Sequence, residues 1–170
     1  SAVACIREVA KAVDAKDILG IGITGQGDGL WMIDKEGNPI RPGMCFCDGR
    51  TTEIVEEWRK DGTLEKAFDI CGTAVFGSAQ CAEIRWMEKY EKEALDRTAA
   101  FLHVKDWLFF KMTGVISSDE SDESIPMLNA ETRQYDDELF RLYGLEQYID
   151  RFPVVKPSYE NYHKILPEIA

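Results

Sequence analysis

The stretch Ile18-Leu19-Gly20-Ile21-Gly22-Ile23-Thr24-Gly25-Gln26-Gly27-Asp28-Gly29-Leu30-Trp31-Met32-Ile33 decides the fold class, together with Asp48-Gly49-Arg50-Thr51 a short way on. The apolar run from Ile18 to Thr24, flanked by turn residues, is predicted to be a buried central strand. Gly20 and Gly22 alternate with Ile21 and Ile23, which predicts tight packing on the glycine face. Polar groups then gather beyond the strand, where ligands of open α/β sheets collect. Asp28 offers acceptors to hydroxyls, Gln26 both donates and accepts, and glycines such as Gly27 would let a polyol approach the main chain. A plainer reading stays open beside this one: a glycine-rich hairpin tip with solvated polar side chains. The pattern is not a phosphate loop, which needs Gly-Lys-Ser/Thr after its glycines. Nor is it a dinucleotide fingerprint, because these glycines lead into a strand and not a helix.

Leu30 to Ile33 reads as a second strand, and Asp34 to Pro39 as a polar turn joining it to a short strand near Ile40. Met44 to Cys47 reads as another brief strand. Asp48 follows it and is expected near Asp28 if the two strands are neighbours. A carboxylate pair with Arg50 could grip sugar hydroxyls. The alternative is a helix start, with Asp48 or Thr51 as cap and Arg50 in a surface ion pair. Thr51 to Lys60 has helical spacing, with Ile54, Val55 and Trp58 on one face and Asp61-Gly62 at its end.

Helices are also predicted over 3–14, 79–92, 105–112 and 136–143, the last closed by Gly144. Phe101 to Val104 reads as a strand or a lead-in to the next helix. Residues 116–124 are polar and acidic and read as a loop whose Asp and Ser side chains cap nearby backbone groups. They lack the ligand spacing and central Gly of a calcium loop. His103 and His163 have no Ser, Cys or Asp arrangement of a nucleophile triad and read as structural or exposed. Phe152 to Pro157 is expected to be extended. Strands followed by several helices indicate an α/β fold, a mixed sheet with flanking helices.

The chain has 170 residues, 45% hydrophobic and 30% charged, with a net charge of −11. That is the composition of one globular domain with a real core. An acidic surface opposes phosphate backbones and anionic membranes, so neither nucleic acid nor membrane is an expected partner. No apolar run reaches bilayer-spanning length, and the opening Ser1 to Arg7 lacks the features of a signal peptide. The missing initiator Met reads as a processed or excised end. Cys5, Cys45, Cys47, Cys71 and Cys81 are odd in number and form no repeating framework, which suits a reducing cytoplasm. Cys45 and Cys47, two apart on an extended strand, are expected to be small buried side chains and not chelators.

Taken together, these segments resemble the FGGY family of carbohydrate kinases along nearly the whole chain. Ile21-Gly22-Ile23-Thr24-Gly25-Gln26 resembles the family's strand ending in Gly-Gln. Asp34-Lys35-Glu36-Gly37-Asn38-Pro39-Ile40 resembles its Asp-x-x-Gly-x-Pro-Leu turn, and Asp48-Gly49-Arg50 its Trp-x-Asp-x-Arg segment. Lys105-Asp106-Trp107-Leu108 and Met112-Thr113-Gly114 are similar to its Lys-Asp-Tyr-Leu and Leu-Thr-Gly. Ser118-Asp119-Glu120-Ser121, with Ser124 and Met127-Leu128, resembles Thr-Asp-x-Ser-x-x-Ser-x-x-Leu. Phe152-Pro153-Val154-Val155 is like Leu-Pro-Pro-Val. The segments 26–30, 54–66 and 118–124 look most like L-xylulose and erythritol kinases.

The resemblance implies an actin-like ATPase fold (ribonuclease H-like), with ATP and Mg2+ used to phosphorylate a hydroxyl of a ketopentose such as xylulose, or of a tetritol. It implies substrate contacts from Gln26, Gly27 and Asp28, and from Asp48 and Arg50 on the same cleft. Glu83 and Gln80 depart from the pattern, standing ahead of Trp86 where the family has a Lys and a small hydroxyl or Pro. Residues 1–170 are then an incomplete N-terminal domain. The first phosphate-binding hairpin, the segment with the catalytic base Asp and the C-terminal domain are absent, so no catalytic residue is assigned within the chain. An exposed sheet edge beside Ile18 to Thr24 would favour association, for instance as a homodimer. Two other classes stay open, a non-catalytic sugar-binding or regulatory module and an actin-like structural fragment.

Overall fold

The structure, a computed structural model, describes residues 2–169; Ser1 and Ala170, the ends of the expected domain, lie outside the described residues. In chain order the elements are α1 (Ala2–Ala10), β1 (Trp31–Ile33), α2 (Thr52–Lys60), α3 (Thr63–Cys71), α4 (Gln80–Tyr90), α5 (Lys92–Arg97) and β2 (Ala100–Leu102). They continue with α6 (Val104–Thr113), β3 (Ser118–Asp119), α7 (Glu120–Glu123), α8 (Asp137–Tyr143) and β4 (Val155–Lys156). The fold is α/β. Its sheet takes the form of two small pieces: β1 antiparallel to β2, with Met32 opposite Phe101, and β3 parallel to β4, with Ser118 opposite Val155.

Helix α4 lies in the core, with Cys81, Ala82, Ile84 and Met87 all fully buried. On one side α2 supplies Ile54, Val55 and Trp58, and the Trp58 ring stacks at a tilt on Tyr143 of α8 with centroids 5.2 Å apart. On the other, Phe101 of β2 meets Phe152 edge-on, and Phe152 meets Phe140 in the same way, at centroid distances of 5.2 and 4.9 Å. Such edge-to-face pairs each add about 0.5–1.5 kcal/mol beyond their area. Glycines in the left-handed region end α3, α6 and α8.

The turn after β1 forms as read. The Asp34 carboxylate accepts the backbone N–H groups of Glu36 at 3.0 Å and Asn38 at 2.8 Å, and Ile33 bridges to Pro39. The expected helices around 51–60, 105–112 and 136–143 also form.

Several expectations fail. Residues 18–24 form no strand, and Leu19 is 99% exposed. A strand needs a neighbour to take up its N–H and C=O groups, and no strand among the described residues pairs with this run. The close packing expected on Gly20 and Gly22 is absent, since a Cβ on either would meet nothing within 4 Å. The first helix stops at Ala10 and has no buried residue. Met44 makes only an isolated bridge to Leu30, after which the chain turns, leaving Cys47 exposed and Cys45 half-buried. The helix expected over 79–92 splits at Glu91, whose φ of −134° and ψ of 43° are not helical. Helix α3 was not anticipated. The acidic run at 116–124 is largely buried, as β3 and α7.

Candidate functional site

The tip at 25–29 is fixed by close approaches. Gly29 has φ of 99°, which favours glycine. A Cβ there would lie 2.5 Å from the Met44 carbonyl and 2.8 Å from the Trp31 ring. Its N–H donates to the Ser78 carbonyl at 3.0 Å, tying the tip to the chain ahead of α4. A Cβ on Gly27 would press on Ile125 at 3.1 Å. Gln26 folds back so that its Nε2 donates to the Asp28 carbonyl at 3.1 Å.

Asp28 is therefore not the solvated side chain of a free hairpin tip. It is 8% exposed, and its Oδ1 is buried without a hydrogen-bond partner. Burial, and secondarily the negative charge of Asp122, pushes its carboxyl up to about 6. An unpartnered buried acceptor is costly unless something supplies a donor.

Asp48 and Arg50 form a bidentate pair. Arg50 Nε donates to Asp48 Oδ1 and Nη2 to Oδ2, both at 2.8 Å, and the Arg50 backbone N–H adds a third bond at 3.1 Å. The Asp48 carboxyl is held below its ordinary range chiefly by the Arg50 side chain. The guanidinium also lies over the Trp86 ring, 4.6 Å from its centroid. Neither Asp48 nor Thr51 caps α2 through its side chain: Asp48 serves Arg50, and the Thr51 hydroxyl donates to the Gly77 carbonyl.

No hydrogen bond or ion pair joins the two sequence-predicted halves, Gln26 to Asp28 and Asp48 to Arg50, among the described residues, but Glu83 on α4 feels the charges of both. Glu83 is fully buried, and neither carboxyl oxygen has a hydrogen-bond partner. Burial first, then Asp48, raises its carboxyl to about 9, with Arg50 pulling the other way and Asp28 adding a further push upward. Glu83 is therefore a neutral acid at pH 7. Gln80, one turn earlier, is equally buried and has both amide atoms unpartnered. Sequence reasoning met these two residues only as departures from a pattern. The clue it passed over was an acid and an amide spaced i, i+3 on a helix that is otherwise apolar inside.

A second polar centre lies beneath the tip. Lys105 of α6 pairs with Asp119, with Asp122 at 3.2 Å and with Asp106 at 3.7 Å. Burial lowers the ammonium, but the three carboxylates outweigh it and its net shift is upward. Asp106, buried and bonded by the Ser118 hydroxyl at 2.9 Å, is raised to about 7 mainly by desolvation. His103 is fully buried, and desolvation lowers it to about 4, so it is neutral. Asp119 caps α7 by accepting from the Ser121 N–H, as read, but the run was not expected to be a buried ion cluster. A cleft of about 280 Å³ lies beside it, lined in part by Ile21, Lys105, Asp119, Asn161 and Tyr162. Among the described residues, no three His, Cys, Asp or Glu side chains come together as metal ligands, and no helix is long and apolar enough to cross a membrane.

The model of the N-terminal domain of the FGGY family of carbohydrate kinases matches residues 1–170. The chain belongs to this family. Within it, the chain is similar to an erythritol kinase of Brucella abortus, 31% identical over 156 residues that make up 92% of this chain and 30% of that protein. It is also similar to a probable L-xylulose kinase of Pasteurella multocida, 30% identical and covering 93% of this chain and 33% of that one. Among solved structures, a xyloylose kinase from Brucella ovis superposes with a TM-score of 0.84 at 25% identity, covering 98% of this chain and 34% of that one. A xylulose kinase from Rhodospirillum rubrum superposes with a TM-score of 0.87 at 22% identity over 99% of this chain and 35% of its own, a likeness of fold. The FGGY chain described here thus spans about a third of the length of these relatives, and its fold is the N-terminal part of the actin-like ATPase architecture expected from the sequence.

Proposed function

We propose that this chain is the sugar-side wall of a kinase that transfers a phosphoryl group from ATP to a hydroxyl of a small sugar or polyol, a ketopentose such as xylulose or a tetritol. The observation that carries the reading is Asp28: a buried carboxylate with an orphan oxygen, set in a glycine tip that allows close approach. In this reading a substrate hydroxyl supplies the missing donor. Gln26 and Gly27 shape the floor, and the Asp48–Arg50 pair holds further hydroxyls, Arg50 being oriented by Asp48 and Trp86. The relatives named as erythritol and L-xylulose kinases support the substrate class.

Phosphoryl transfer also needs a carboxylate to take the hydroxyl proton, a phosphate cradle and Mg2+ to neutralise developing charge. We assign none of these to residues 1–170, which we read as an incomplete N-terminal domain. ATP and Mg2+ belong to the parent protein, which we place in the cytoplasm. The residues here bind and orient the sugar and exclude water from one side of it.

The test is steady-state kinetics on the full-length parent with a panel of pentuloses, tetritols and glycerol. Asp28→Ala is expected to raise the sugar KM at least tenfold; unchanged KM and kcat would make Asp28 a bystander. Wild-type sugar KM is expected to rise as pH falls below about 6, where Asp28 gains a proton. The 170-residue chain alone is expected to show no sugar-dependent ADP release. A parent that binds these sugars without phosphorylating any would instead be a sugar-binding module.

A further inference from the structure

The turn that delivers Asp48 to Arg50 also brings two thiols together. After the Leu30–Met44 bridge the chain curls, and the Asp48 backbone N–H donates to the Cys45 carbonyl at 2.8 Å. An extended strand would hold residues two apart at a distance, but this turn places the Cys45 and Cys47 Sγ atoms 3.1 Å from each other. Neither is locked in the core: Cys47 is exposed, Cys45 is half-buried, and Phe46 between them is 60% exposed. Cys71 and Cys81, by contrast, are buried, and desolvation raises both thiols.

We propose that Cys45 and Cys47 are a redox modification site, which a low-molecular-weight disulfide such as oxidised glutathione converts to an intramolecular disulfide, displacing the Asp48–Arg50 pair. Hydrogen bonding from Cys47 lowers the Cys45 thiol, which favours Cys45 as the attacking thiolate, while Cys47 is raised. The Cys45 thiolate attacks one sulfur of the glutathione disulfide and expels a glutathione thiolate. Cys47, losing its proton, then attacks the Cys45 sulfur of the mixed disulfide and expels the second glutathione. The S–S bond of the oxidant is broken and a new one is formed. The two thiol protons of the protein end on the two released glutathiones, the protein oxidised and the oxidant reduced.

Closure shortens the sulfur separation to about 2.05 Å. The movement falls within a single turn, whose last residue is Asp48. Asp48 is tied to Cys45 through its N–H and to Arg50 through its carboxylate. A short Cys-x-Cys ring on an exposed turn belongs with the labile disulfides that reform thiols readily.

The experiment oxidises the full-length parent with glutathione disulfide and maps the peptide that holds both cysteines. Wild type is expected to lose about 2 Da there, two hydrogens, and to regain them with dithiothreitol. Cys45→Ser and Cys47→Ser are each expected to keep a glutathione adduct on the remaining thiol. Free thiols or a persistent adduct in wild type would overturn the proposal. Oxidation is also expected to raise the sugar KM severalfold in wild type but not in the Cys45→Ser/Cys47→Ser double variant. A disulfide that forms without moving KM would overturn the coupling to Asp48. A parent with no sugar activity would bear only on the proposed function, since the mass change reads the disulfide by itself.

Discussion

Residues 18–24 and 30–33 are both short, apolar and rich in β-branched or aromatic side chains, yet only the second becomes a strand. Leu30 to Ile33 has partners on both edges: β2 through Met32 and Phe101 on one, Met44 and Ile40 on the other. Its side chains at 30, 32 and 33 are almost wholly buried, while Leu19 in the first run is fully in solvent. The two runs differ less in propensity than in neighbours. A strand is a property of the pair, and the N-terminal run has no strand to pair with among the described residues.

This contrast is open to direct attack. The largest effect is expected on the paired side. Phe101→Ala removes the ring that β2 sends against Phe152 and Tyr148 and should cost about 3–5 kcal/mol, read by urea unfolding of the chain. A loss under 1 kcal/mol on the order-of-magnitude scale of core truncations would mean that the β1–β2 pair is not the anchor described here.

Next comes Gly43→Ala. Its Cβ would fall 2.5 Å from the Trp31 indole, and the overpacking should cost about 1–3 kcal/mol. Gly22→Ala, in the unpaired run, should stay within about 0.5 kcal/mol. Equal melting shifts for the two would erase the contrast.

A smaller effect, seen through pH, is expected at Asp28. Its folded carboxyl titrates at about 6 against an ordinary 3.8, so the folded state holds the proton more tightly. The stability this provides is full below about pH 4 and lost as pH rises through 6. Asp28→Asn should remove that decline, so that between pH 4 and pH 7.5 the variant gains on wild type by on the order of 1 kcal/mol. A wild-type-like pH profile in the variant would show that Asp28 is not buried as described. Taken with the expected loss of sugar binding, such a gain would mark a site residue kept at a cost in stability.

The smallest change in stability is expected at Leu19→Ser, within about 0.5 kcal/mol. Its readout is association. Leu19, Val9 and Val13 are 99%, 61% and 48% exposed, and the isolated chain is expected to self-associate in light scattering. The Ser variant should associate less. A clean wild-type monomer would contradict this.

The parts of the fold that the sequence made legible are those whose signal is local. Ile54, Val55 and Trp58 mark one face of α2 by spacing alone, and Gly114 and Gly144 end their helices as left-handed caps. Asp28, Asp48 and Arg50 were legible as candidates because they sit beside glycines at the ends of apolar runs. Their surroundings were not legible. Asp28 is buried and feels the charge of Asp122, and Glu83 feels that of Asp28, groups that only the folded chain brings near one another. The acidic run read as a capping loop because nothing within it announces Lys105, which lies on the preceding helix and pairs with Asp119 and Asp122. Charge in a local window predicts solvation; a counter-ion from another element reverses the outcome.

The Arg50 guanidinium over the Trp86 ring has an optical consequence. Indole emission responds to a cation held against its face, so Trp86 reads the position of Arg50. On the proposals above, a sugar that draws Arg50 away, or an oxidised turn that shifts its Asp48 partner, is expected to alter the light that Trp86 emits. The proposed wall would then carry its own reporter, and with the other three tryptophans replaced by phenylalanine its occupancy could be followed by fluorescence with no label and no second substrate.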